Sequence, residues 1–323
     1  MVELLLFLVA TLPFADGDLP RRPVHTYSIV ARDPATGDLG VAVQSHWFAV
    51  GNSVAWAEAG VGAVATQSFT DPSYGALGLQ LMKNGKTAPE ALAALIAIDP
   101  NENVRQVAMV DRHGNVATHT GKKCIAAAGH QQGEAFSAQA NMMEKGTVWG
   151  AMAKAYETKK GDLADRLVAA LEAAEAEGGD IRGQQSAALL IVPGEAGKAP
   201  WARKISLRVD DHPTPLAELK RLLHVQRTYQ HMNRGDDLLT QNDVPGALAE
   251  YATAAGMYPE MVEIRYWQAI TLATAGKLEE SLPIFREVFA KEPRWRELTP
   301  RLVDAGLLPN DKELLQKILG VSP

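Results

Sequence analysis

The sequence predicts an α+β chain in two parts: antiparallel sheets covered by helices, then an all-α segment. Three observations carry this expectation. Short alternating apolar segments joined by Gly, Pro and Asp turns open the chain and return near residue 186. Helical patterns sit between those groups and do not alternate with each strand, so repeated β-α-β units do not fit. Beyond residue 228, similar residues recur at a fixed spacing.

Each element follows from local chemistry. Tyr27 to Arg32 and Leu39 to Val43 flank Asp33-Pro34-Ala35-Thr36-Gly37-Asp38, a hairpin turn rich in breakers. Val61 to Thr66 is a further apolar strand. Val104 to Val110 and Asn115 to His119 form a second hairpin around Asp111-Arg112-His113-Gly114. Ser186 to Val192 and Ile205 to Val209 supply late strands. Thr87 and Glu90 have capping-box spacing before an Ala/Leu-rich run to Ile98. Asp162 to Glu177 is amphipathic and stops at Gly178-Gly179.

Composition narrows the function classes. The net charge of -6 and the absence of a dense Lys/Arg stripe argue against nucleic acid as a partner. Aromatic residues, 6% of the chain, are too scattered for a base-stacking platform. The one cysteine, Cys124, excludes an intrachain disulfide framework. Lys122 and Lys123 before it would favour a thiolate; the plainer reading is a partly buried small side chain. Residues 1–17 read as a signal peptide. Leu4 to Phe14 is apolar but short for a membrane span, and Ala15-Asp16-Gly17 suits cleavage. Glu3, with no Lys or Arg beside it, departs from the usual leader. The expected location is outside the cytoplasm, periplasmic or extracellular.

In the helical segment, Ala247, Tyr251, Ala254 and Pro259 are followed 34 residues later by Ser281, Phe285, Val288 and Pro293. Gly235 and Leu238 match Ala269 and Leu272. Asn242 and Gly276 stand at the matching turn, where a left-handed backbone is often required. Over residues 228 to 295 this resembles the tetratricopeptide repeat. Thr214-Pro215 starts a helix with an apolar face, and Leu298 to Ala305 and Lys312 to Leu319 add packing helices. The repeat's usual geometry implies a concave, partner-binding face carrying Tyr229, Met232, Asp236, Glu263, Tyr266 and Ile270. The alternative is a tail that only stabilises or dimerises the first domain.

The segments TYSIVARDPATGDLGVAVQS, AGVGAVATQ, GGDIRGQQSAALLIV and LRVDDHP together resemble the family called domain of unknown function 1028, from about Thr26 to His212. That family is classed with the N-terminal-nucleophile (Ntn) hydrolases, whose activity within this family is not established. The resemblance implies an Ntn-hydrolase-like αββα sandwich over residues 24–212, followed by a tetratricopeptide-like domain over residues 213–323.

An Ntn hydrolase uses the side chain of its first mature residue as nucleophile and its own α-amine as base. Thr26 stands where that residue belongs. Arg21, Arg22, Pro23, Val24 and His25 precede it, so a cut after His25 is required. Otherwise Thr26 is only a β-branched strand residue. Ser28 shares its strand face by alternation but cannot be terminal without loss of the strand. Gln67 at a strand end and Asn141 after Gln139 are candidates to bind substrate or donate to an oxyanion. Asp180, Arg182, Gln185 and Ser186 form the densest polar group. By analogy with proteasome-type relatives, Asp180 and Ser186 would support Thr26, and Arg182 and Gln185 would contact substrate. Asp210-Asp211-His212 fits a structural junction better than a metal site, because adjacent strand residues face opposite sides. No metal or cofactor motif is present in the sequence.

Two functions fit. One is an exported Ntn-type amidohydrolase acting on a small amide or peptide, with a repeat tail that binds a protein partner. The other is a catalytically silent scaffold or binding protein acting through its repeats. A homo-oligomer is compatible with both.

Overall fold

The computed structural model describes residues 26–195 and 197–322. The signal-peptide segment therefore lies outside the described residues. The chain divides into two compact units, the first ending at Lys220 and the second beginning at Arg221. Among the described residues, no helix is long and apolar enough to cross a membrane.

The strands of the first unit are β1 (Thr26–Arg32), β2 (Leu39–Ser45), β3 (Ala55–Glu58), β4 (Gly62–Ser68), β5 (Arg105–Asp111), β6 (Val116–Thr120), β7 (Gly129–Gly133), β8 (Phe136–Ala140), β9 (Ser186–Val192) and β10 (Ile205–Val209). Its helices are α1 (Ser73–Lys83), α2 (Ala88–Ile98), α3 (Val148–Thr158) and α4 (Leu163–Ala176). One sheet has the order β10-β9-β2-β1-β8-β7 and the other β3-β4-β5-β6. Every neighbouring pair is antiparallel. The sheets pack face to face; α1 and α2 cover the four-stranded sheet, and α3 and α4 the six-stranded one.

The expected hairpins and helices are present, and the capping box of Thr87 and Glu90 is formed. The elements that sequence patterning leaves out are β3, β7, β8, α1 and α3. The strand β8 shows why. Phe136 faces the helix layer, where its ring lies 4.6 Å from that of Tyr156. Ser137 and Gln139 face the opposite sheet and are buried. A strand whose inward residues are polar hides from a hydrophobic-period reading. The exposed edge strand β7 has almost no apolar residue to mark it.

The second unit holds most of α5 (Pro215–Thr240), then α6 (Val244–Met257), α7 (Val262–Thr274), α8 (Leu278–Lys291), α9 (Arg294–Leu298), α10 (Arg301–Asp304) and α11 (Lys312–Leu319). The first turns of α5 belong to the first unit, where Lys220 pairs with Glu172 at 2.5 Å. One 26-residue helix replaces the separate flanking and repeat helices read from sequence, because nothing between Leu223 and Thr228 breaks it. Asn242 (φ 61°) and Gly276 (φ 77°) both adopt the left-handed conformation at the turns before α6 and α8. Ala247, Tyr251 and Ala254 are buried on α6, and Phe285 and Val288 on α8. Gly235 leaves room for the Tyr251 ring, since a Cβ there would sit 3.0 Å from it.

The concave-face assignment needs correction. Met232, Tyr266 and Ile270 are buried among the helices and cannot present their side chains to a partner. Tyr229 donates to Glu263 at 2.7 Å, and Asp236 accepts from Tyr251. The chain after α8 folds back to cover Tyr266, whose ring lies 4.5 Å from Trp295 and whose hydroxyl is 3.1 Å from that of Thr299.

Candidate functional site

The strand register brings the candidate residues of the first unit to one end of the sandwich. Thr26 opens β1 opposite Ser45, the last residue of β2, and Ser45 lies opposite Ser186, the first residue of β9. Asn141 follows β8 and donates its backbone N–H to the Thr26 carbonyl at 3.1 Å. Gln67 near the end of β4 pairs with Gln106 near the start of β5.

Thr26 and Ser28 point between the sheets, as strand alternation requires. The Thr26 hydroxyl donates to Ser45 Oγ at 3.2 Å, and the Ser28 hydroxyl to Gln67 Oε1 at 2.6 Å. Gln67 Nε2 donates to the Thr26 carbonyl at 3.0 Å and to Gln106 Oε1 at 2.8 Å. Asn141 Nδ2 donates to Gln106 Oε1 at 2.9 Å and lies 3.5 Å from the Thr26 carbonyl. Gln67 and Asn141 therefore hold Thr26 itself; their amide hydrogens are turned to its carbonyl rather than to an oxyanion site. All these side chains are buried, where an unmet donor or acceptor costs about 1–3 kcal/mol.

The polar loop after α4 arrives at the same end but is directed elsewhere. Gly178 and Gly179 take positive φ and turn the chain so that Asp180 bridges Met143. The fully buried Asp180 carboxylate accepts from the His46 backbone N–H at 3.1 Å and from Arg182 Nη2 at 2.7 Å. The Ser186 hydroxyl donates to the Trp47 carbonyl and accepts from the Val50 N–H at 3.1 Å. Gln185 Nε2 turns to Asp211 at 3.1 Å. Asp180 and Ser186 thus brace residues 46–50, and Arg182 is held against Asp180. Asp210 pairs with Arg208, and His212 Nδ1 accepts the Thr214 N–H at the head of α5, so that cluster is structural.

Behind the first strand, Tyr27 donates to Glu175 Oε2 at 2.6 Å and also touches the side-chain amide of Gln44. A phenol has one proton, so the Gln44 contact is assigned to its NH₂ donating to Tyr27. Burial, and then the Glu175 carboxylate, push the Tyr27 phenol well above its ordinary range. It remains a proton donor at any physiological pH.

A second clamp shapes the opposite sheet. Arg105, nearly buried, donates to Asp99 at 2.8 Å and to the Phe69 carbonyl at 2.7 Å. It fixes the turn after Ser68, which adopts φ 69° at the end of β4. Cys124 donates to the Arg105 carbonyl at 3.3 Å, and burial raises its thiol above the usual range. The neighbouring lysines do not make it a thiolate.

Sequence reading missed Gln106, Ser45, Arg105 and Tyr27. One available signal was the placement of Gln67 and Gln106 at strand ends. Polar residues in step on strands that are otherwise apolar mark a buried polar row.

Residues 26–219 match the model of a family described as a family of unknown function, DUF1028. A protein from Silicibacter pomeroyi whose crystal structure is assigned to that family is 31% identical, with a TM-score of 0.56. The match covers 62% of this chain and 88% of the other. No curated protein matches the chain. Over the sheets and helices that carry the candidate site, the chain belongs to the DUF1028 family.

Proposed function

We propose that the first unit is an Ntn-type amide hydrolase whose nucleophile is Thr26, exported and released as the mature N-terminus by a cut after His25. The helix–sheet–sheet–helix layering has the form expected of that fold. One observation carries the reading: Thr26 opens β1 between the two sheets, with its carbonyl gripped by Gln67 and Asn141. A reacting residue must be held this firmly, because misplacement of reacting atoms by an ångström is costly. After cleavage the α-amine, with a pKa of about 7.7–8.0 in an unperturbed chain, accepts the hydroxyl proton as the hydroxyl attacks an amide carbonyl. An uncut Thr26 has only an amide nitrogen, which cannot serve as base.

We also infer that the second unit is a tetratricopeptide-type array. The paired left-handed turns at Asn242 and Gly276 and the aromatic pair Tyr251 and Phe285 support this at the same spacing. Its partner surface lies outside the buried trio Met232, Tyr266 and Ile270.

A specific observation favours the silent-scaffold alternative. The groups expected to support the amine, Asp180 and Ser186, are engaged with residues 46–50. Intact-mass measurement on protein from the native host separates the readings. Catalysis requires a chain beginning at Thr26 and loss of amide hydrolysis in Thr26→Ala. An uncut chain that hydrolyses amides equally well with or without the Thr26 hydroxyl would sink the mechanism. An uncut, inactive chain supports the scaffold.

A further inference from the structure

A continuous hydrogen-bond chain crosses the interior from Ser28 to the protein surface. Gln139 Nε2 donates to Ser28 Oγ at 3.2 Å, Ser28 to Gln67, Gln67 to Gln106, and Gln106 Nε2 to Thr120 Oγ1 at 3.0 Å. Thr120 Oγ1 lies 2.8 Å from Nδ1 of His130, an exposed residue of β7.

Backbone carbonyls set the direction of every link, because a carbonyl only accepts. Gln139 Nε2 faces the Ala65 carbonyl at 3.1 Å, and Gln67 Nε2 that of Thr26. Gln106 Nε2 faces those of Gly129 at 3.1 Å and Ala140 at 2.9 Å. None of the three amides can flip without setting oxygen against oxygen. Gln106 Nε2 shares its two hydrogens among the Gly129 and Ala140 carbonyls and Thr120 Oγ1; because an amide nitrogen accepts none, the Thr120 hydroxyl hydrogen goes to His130 Nδ1. The neutral imidazole then carries its proton on Nε2.

We propose that His130 is a positioning residue for the Thr26 site: its neutral Nδ1 is the terminal acceptor of the amide chain that holds the Thr26 carbonyl. The link to catalysis rests on the reading of Thr26 as nucleophile; the link between His130 and the amides does not. A proton on Nδ1 would make His130 a donor to Thr120 Oγ1 and force the Thr120 hydroxyl hydrogen away from its acceptor. That disturbs Gln106, on which both Gln67 and Asn141 depend.

The titratable group facing His130 from β6 is His119, itself 3.1 Å from Glu102. The connection between β6 and β7 carries Lys122 and Lys123, while β8 and the rest of β7 bring no ionisable side chain. Helix α3, with Lys154 and Glu157, covers the other face of the sheet. Burial, and then His119, lower the His130 pKa from its ordinary value. Its protonation accordingly sets in on the acid side of about 6.5.

Titration of the full chain by NMR between about pH 5 and 8 tests the proposal. The side-chain NH₂ resonances of Gln106, and less strongly those of Gln67, are expected to shift with the His130 midpoint. Thr120→Val removes the hydrogen bond to the neutral imidazole and should move that midpoint upward; Thr120→Ser should restore it. If Thr120→Val does not fold, His130→Gln replaces it: the amide resonances should then lose their pH dependence. Amide resonances that ignore the His130 titration, or an unchanged midpoint in Thr120→Val, would overturn the proposal. A failed Thr26 mechanism is detected separately by intact mass, so the two failures are distinguishable.

Discussion

The two units bury their interiors by different rules. At the Thr26 end of the first, the inter-sheet space is filled by Ser28, Gln67, Gln106, Gln139 and Asn141, and partner geometry decides what fits. Around α6 and α7 of the second, Ala247, Tyr251, Ala254 and Ile264 pack by volume. Volume tolerates approximation, since a ring can fill a gap from several directions. A buried amide with fixed neighbours has one acceptable orientation.

This contrast can be broken by experiment. The largest effect is expected from Tyr251→Ala, which empties the space over Gly235 and should destabilise the second unit by about 3–5 kcal/mol. Denaturant unfolding followed by hydrogen exchange in α7 reads it; a change under about 1 kcal/mol would deny that volume holds this unit. Next comes Gln106→Met, which keeps the bulk but removes donors from the Gly129 and Ala140 carbonyls. The expected cost is about 2–4 kcal/mol, seen as faster exchange in β5. The matched control has the smallest effect: Tyr251→Phe also keeps bulk and deletes one polar group, and because the exposed Asp236 carboxylate turns to water it should cost about 0.5–1.5 kcal/mol. Equal losses in Gln106→Met and Tyr251→Phe would erase the distinction between the units.

The same distinction explains what could be read from sequence. The two hairpins, the capped helix after Thr87 and the turns at Asn242 and Gly276 were legible because each depends on local chemistry or regular spacing. The strand β8 was not, because its buried face is polar. Asp180 and Ser186 are legible in the sequence as part of a dense polar group at the start of the late strand β9. Their direction was not legible, since it depends on the backbone of residues 46–50, contacted across the fold. The burial of Tyr266 was not legible, because its covering by Trp295 and Thr299 comes from the chain after α8, which the 34-residue spacing does not describe.

The amide row also bears on how the two sheets find their alignment. Between the sheets, β1, β4 and β5 otherwise offer Ala and Val, and such small apolar side chains fit a neighbour nearly as well after a two-residue slide. A slide of that size would set Gln67 against Val30 instead of Ser28 and strand its amide in an apolar pocket. Misdocked sheets would thus reopen quickly, while correctly docked ones lock. The row works as a proofreading key for assembly, a use that would keep it in place even in a family member with no reaction to perform.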